Sequence, residues 1–292
     1  MRRTLLVPFD GSAVADHAVP FAEVFARRTG AQVLLLYAAE DKQRTADPAP
    51  PTNAKVTYCL DRVAARLREG GIAVEIVRSY GDSVAAIVAE AARRPIDLII
   101  IATRGRGVLG HGTGGSLADR LLEHLTLPVL LVRPWHTAET AAHLAERLRI
   151  VVPLDGSALA ETILPVAQWL VTIFGGELIV LRVIVPDPIW VHPSDSARRE
   201  AFAKTYLQRL AAMFEAAGFR TAVDVSIGDP ARAIATAVNR HNAALVVMTT
   251  HGATGLALMP LGSVAKEVFW GVEIPTVLVR PVAMLPLPVP GR

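Results

Sequence analysis

Short apolar runs of about six to eight residues alternate along this chain with longer stretches in which apolar positions recur at helical spacing. Runs such as "DLIIIAT" and "ALVVMTT" show no polar alternation, as expected of parallel strands covered by helices on both faces. The pattern predicts strands near 3–9, 31–38, 72–79, 96–103 and 128–133, with helices near 13–29, 53–70, 82–94 and 115–125. It predicts further strands near 148–154, 177–184, 220–227, 244–250 and 275–280, with helices near 158–174, 195–217, 230–241 and 262–270. Regular strand–helix alternation is the pattern of βαβ units, and right-handed crossovers make a doubly wound α/β sheet the economical topology.

The second set of elements repeats the first. "TLLVPFDGSAVADHAVPFAEVFARRTGAQVLLLY" at 4–37 returns as "RIVVPLDGSALAETILPVAQWLVTIFGGELIVLR" at 149–182. "YGDSVAAIVAEAARRPIDLIIIATRG" at 80–105 returns as "IGDPARAIATAVNRHNAALVVMTTHG" at 227–252, and "LPVLLVRP" at 127–134 as "IPTVLVRP" at 274–281. Self-similarity on this scale implies two homologous domains. Their expected limits are 1–134 and 147–282, with "WHTAETAAHLAE" at 135–146 as the linker and a Pro-rich tail at 283–292.

Composition narrows the function classes. Hydrophobic residues make up 52% of the chain, yet no apolar run approaches the roughly 20 residues of a bilayer-spanning helix, so no membrane partner is expected. The apolar stretch after Met1 stops at Asp10, too soon for a secretory signal, and the protein is read as cytoplasmic. The lone cysteine, Cys59, excludes an intrachain disulfide and a cysteine-cluster metal site. The net charge of +3 comes from arginines scattered among carboxylates, not from a basic block, which disfavours a nucleic-acid partner.

In an open parallel sheet, ligands bind beyond the carboxyl ends of the strands, where the strand order reverses. In copy 1 the candidates are Pro8 and Asp10 of "PFDGS" after the first strand, Ala38 after the second, and the loop after the fourth. That loop holds Ala102, Arg104 and Gly105, then Gly115, Ser116 and Leu117. In copy 2 they are Pro153 and Asp155 of "PLDGS", Val183, and Thr249, His251 and Gly252, then Gly262, Ser263 and Val264. Glycine lets backbone N–H groups approach an anion closely, and a helix starting at Gly-Ser adds unpaired donors and a positive dipole end. Ser116 and Ser263 can cap that helix or donate to a phosphate. Asp10 and Asp155 can close an Asp-Gly-Ser turn or meet a ligand. Arg104, and His251 in the other copy, can pair with phosphate or face solvent.

These features together resemble the universal stress protein family in tandem form, over almost the whole chain. Its ATP-binding members carry Gly, two residues, Gly, nine residues, Gly and then Ser or Thr, after an early Asp that ends the first strand. Copy 1 matches with Gly105, nine residues and Gly115-Ser116; copy 2 matches with Gly252, nine residues and Gly262-Ser263. Ala102 and Thr249 stand where the family has its first glycine. By the same similarity Ala38 and Val183 would hold adenine through their backbone. The resemblance implies two Rossmann-like, adenine nucleotide α-hydrolase-like domains, each a doubly wound five-stranded parallel sheet with helices on both faces. It further implies a regulatory stress-response module that binds ATP, alone or with Mg, with little or no hydrolysis. Its last strands would pair across a pseudo-twofold axis to make an intrachain pseudo-dimer. Two chains could associate further as a homodimer, and the regulatory protein partners are not named by the sequence. The substitutions at Ala102 and Thr249 favour the alternative, a member without nucleotide that acts through protein contacts.

Other motifs carry less. "GRGVLG" at 105–110 spells G-x-G-x-x-G, but it follows the fourth strand instead of opening the first βα turn, and no acidic residue sits about 20 positions on at a second strand end, so it is no dinucleotide fingerprint. No Lys-Ser or Lys-Thr completes a Walker-type loop. The eight histidines fall in no zinc-site spacing, and no nucleophile–base set can be assembled.

Overall fold

A computed structural model describes residues 3–39, 54–103, 117–146, 148–186, 193–252 and 261–281. Copy 1 runs β1 (Thr4–Pro8), α1 (Val19–Thr29), β2 (Gln32–Ala39), α2 (Ala54–Glu69), β3 (Val74–Tyr80), α3 (Ser83–Arg93), β4 (Leu98–Ala102), α4 (Leu117–His124) and β5 (Val129–Val132). After α5 (Ala138–Glu146), copy 2 runs β6 (Arg149–Pro153), α6 (Ala158–Glu161), α7 (Leu164–Phe174), β7 (Glu177–Ile184), α8 (Pro193–Ala216), β8 (Arg220–Ile227), α9 (Pro230–Arg240), β9 (Leu245–Thr249), α10 (Ser263–Gly271) and β10 (Thr276–Val279).

Every predicted strand forms, and the doubly wound α/β fold is as expected. The two five-stranded sheets are continuous, however. One ten-stranded sheet has the order β3-β2-β1-β4-β5-β10-β9-β6-β7-β8. Each half is parallel, and the halves meet where β10 pairs antiparallel with β5, Val277 opposite Leu130. Pairing these two strands, buried along their whole length, removes the apolar edges that each copy would otherwise present.

Alternation along the central strands sends side chains into two layers. Leu5 and Val7 join α1, α2, α5, α7 and α8 on one face; Leu6 joins α3, α4, α9 and α10 on the other. Both layers run through both copies, so the repeats share their cores. Two arginines reinforce the seam in reciprocal fashion. Arg133, 3% exposed, donates to the Trp270 carbonyl near the end of α10 (3.5 Å) and lies 4.4 Å from the Phe269 ring centre. Its counterpart Arg280 donates to the Glu123 carbonyl near the end of α4. A guanidinium at a helix carboxyl end satisfies an orphan carbonyl and suits the negative end of the dipole.

Three expectations change. The helix predicted at 158–174 breaks into α6 and α7, and that at 13–29 opens as a 3-10 turn over Ala15–Ala18. Pro20 and Pro165 cause this: each lacks an N–H, suits a first turn and so restarts the helix there. The predicted linker at 135–146 contains α5, whose start is capped reciprocally by Thr137 and Thr140. Ala141 and Leu144 bury one face of α5, which packs between α1 and α7.

Candidate functional site

In copy 1 the carboxyl ends of β1, β2 and β4 and the first turns of α3 and α4 enclose a cleft of about 340 Å³. Five of the sequence candidates, Pro8, Asp10, Ala38, Ala102 and Leu117, line it together. Arg104, Gly105, Gly115 and Ser116 lie outside the described residues. The Asp-Gly-Ser turn sets the floor. Asp10 Oδ1 accepts from the Ser12 amide (2.9 Å), and Ser12 Oγ accepts from the Ala15 amide (3.2 Å). Gly11 supplies the positive φ of 75° that this turn needs.

Sequence reasoning missed Ser12, Ser83, Thr103 and Arg120 in the cleft wall. Arg120 Nη2 lies 2.6 Å from Asp82 Oδ2, while Asp82 Oδ1 caps α3 by accepting from the Ala85 amide (3.0 Å). These two donors, the guanidinium first, hold the Asp82 carboxyl below the usual range. A comparison of the copies at this position was the available signal: Arg120 corresponds to Glu267.

In copy 2 the same turn recurs. Asp155 Oδ1 accepts from the Ser157 amide (2.9 Å) and hydroxyl (2.6 Å), and Ser157 Oγ caps α6 at Ala160 (3.1 Å). The turn role foreseen for both aspartates is therefore in use. Asp155 also packs on the Cα of Gly252, where a Cβ would overlap its carboxylate, so two candidates 97 positions apart are brought into contact. A Cβ on Gly262 would lie 2.7 Å from the Thr250 carbonyl, which accepts the Gly262 amide (2.9 Å). Gly262 is the N-cap of α10 without a side-chain bond, so Ser263 does not act as the cap. Ser263 is exposed at the helix start, with Val264 half-buried beside it. Thr249 is buried, its hydroxyl turned back onto the His251 carbonyl (2.8 Å), and His251 Nδ1 pairs with the Thr250 hydroxyl (2.9 Å). Pro153 and Val183 end β6 and approach the end of β7, both half-buried. Residues 253–260 lie outside the described residues.

A family model described as the universal stress protein family matches residues 1–133 and 146–280. The chain belongs to the universal stress protein family. A universal stress protein of Mycolicibacterium smegmatis is 27% identical over 292 residues, covering 95% of this chain and 97% of its own. A universal stress protein from Archaeoglobus fulgidus superposes with a TM-score of 0.71 at 20% identity, covering 95% of this chain and 98% of that one. One from Pseudomonas aeruginosa gives 0.67 at 20% identity, covering 96% and 94%. These structures bear on the fold, which is the tandem universal stress protein arrangement. Among the described residues no helix is long and apolar enough to cross a membrane, and no group of three or more His, Cys, Asp or Glu could hold a metal ion.

Proposed function

We propose that this tandem universal stress protein is a regulatory stress-response module that binds an adenine nucleotide, ATP alone or with Mg, and hydrolyses it slowly or not at all. The observation that carries the reading is the convergence of Asp10, Ala38, Ala102 and Leu117 on one cleft at the carboxyl ends of β1, β2 and β4. Its fit is that of a nucleotide: the backbone at Ala38 suits the base, and the first amides of α4 suit phosphate. Asp10 commits one carboxylate oxygen to its turn, and among the described residues that line the cleft none is a histidine, which favours binding over turnover. On this reading the protein works in the cytoplasm, its two copies pair within the chain, a homodimer can form, and regulatory proteins read the nucleotide state.

The test is thermal unfolding with and without Mg-ATP. Saturation at about 100 times Kd adds roughly 2.7 kcal/mol of stability and raises Tm. An unchanged Tm at millimolar ATP sinks the reading. It would then favour a member that acts through protein contacts alone, which the filled first-glycine position at Thr249 already supports.

A further inference from the structure

We infer that the ligand is taken by copy 1 alone, with Arg120 selecting for its anionic part, while copy 2 is a closed relative of the same site. This rests on the adenine-nucleotide reading above and adds to it which copy works and which residue sets the charge preference.

Space is the first argument. Four positions on the copy 1 wall carry larger side chains in copy 2: Val14 becomes Leu159, Ala38 becomes Val183, Ser83 becomes Pro230 and Ala102 becomes Thr249. Three positions shrink, but Phe9 and its counterpart Leu154 are both buried, Leu117 to Val264 removes one methylene, and Arg120 becomes the shorter Glu267, which is exposed. Internal satisfaction is the second argument. In copy 2 the Thr249 hydroxyl is spent on the His251 carbonyl, and the Gly262 amide on the Thr250 carbonyl. The Asp155 carboxylate lies against Gly252, and the Arg182 guanidinium packs over Gly156. Among the described residues the contrast with copy 1 lies at Thr249, whose buried side chain is bonded in place where Ala102 has only a methyl group; the counterparts of His251, Gly252 and Gly262 lie outside them.

Charge is the third argument. Arg120 stands on the copy 1 wall beside Asp82, so that wall holds a cation with donors to spare. The counterpart of Arg120 is the exposed Glu267, and that of Asp82 is Asp229, whose Oδ1 caps α9 at Arg232 (2.9 Å). Copy 2 thus presents two carboxylates where copy 1 presents an ion pair. Lys266 and Arg232 stand in copy 2 where copy 1 has Asp119 and Ala85, so the contrast lies in placement and not in net charge: the copy 1 cleft wall carries its guanidinium where an anionic ligand can reach it.

Titration calorimetry of the full chain with Mg-ATP decides the matter, with a stoichiometry of one per chain expected. Ala38→Val combined with Ala102→Thr installs the small changes copy 2 itself tolerates, and it is expected to abolish binding while leaving the ligand-free Tm in place. Arg120→Glu is expected to weaken ATP about tenfold and leave adenosine within about twofold, as one reversed charge against an anion would. Glu267→Arg is expected to leave ATP binding unchanged. Two ATP per chain, or undiminished binding in the double variant, overturns the assignment to copy 1 while the nucleotide reading stands. Equal losses for ATP and adenosine in Arg120→Glu overturn the role given to Arg120. No ATP heat from the unaltered chain overturns the nucleotide reading, and this inference with it.

Discussion

Replacing Phe25 by alanine is expected to lower stability by about 3–5 kcal/mol, and to do so in one unfolding transition that includes both copies. Phe25 is fully buried on α1 of copy 1, and its ring meets the edge of Phe174 on α7 of copy 2 at 4.8 Å and 76°. Truncation therefore removes apolar burial and an aromatic contact from the layer that the copies share. The cavity has little means of collapse, because α5 wedges between α1 and α7 and Arg28 holds the Ala145 carbonyl near its end. Urea unfolding followed by far-ultraviolet dichroism and tryptophan fluorescence checks both parts. Coincident curves with a lowered midpoint are the expected result. Two separated transitions would mean that the continuous sheet and layers do not couple the copies.

That coupling marks the limit of what could be read from sequence. The strands were legible because buried parallel strands are unbroken apolar runs, and the duplication was legible because both copies keep the same turn, "DGS", after the first strand. The restarts at Pro20 and Pro165 could have been read from proline chemistry alone. Helix α5 could not stand out in the same way. Its buried face is only Ala141 and Leu144, too little apolar periodicity to distinguish a short helix from a polar linker. At the candidate site, Asp10, Ala38, Ala102 and Leu117 could be singled out because they sit at strand ends and at a helix start, and the fold brings them to one cleft. Arg120 was missed because a charged residue in the first turns of an amphipathic helix reads as its solvent face. Only the packing of α3 against α4 shows that it walls a cleft.

His136 is the residue of the predicted linker whose role most depends on tertiary structure, and it should make the seam between the copies acid-sensitive. It is 2% exposed. Nδ1 accepts from the Arg133 amide (3.1 Å), so the proton sits on Nε2 and is donated to the Glu273 carbonyl (2.8 Å). Burial first, then the charges of Arg133 and His17, push its pKa down to about 4, against the partial opposition of the Glu273 carbonyl. In the unfolded chain the same imidazole titrates near 6.5. Above pH 6.5 neither state binds the proton and the stability His136 supplies is complete. Between about 6.5 and 4 the unfolded chain takes up a proton the folded seam refuses, and stability falls by up to about 1.4 kcal/mol per pH unit. Below about 4 the folded state protonates too and this contribution stops changing. His136→Gln isolates it from the carboxylates, which titrate in both proteins, since an amide can keep both bonds without a charge. The stability advantage of the unaltered chain over His136→Gln, measured by urea unfolding, is expected to shrink steadily from pH 6.5 to pH 4.5. A constant difference over that interval would show that the seam accommodates the imidazolium, and that burial between Arg133 and Glu273 does not hold the ring neutral.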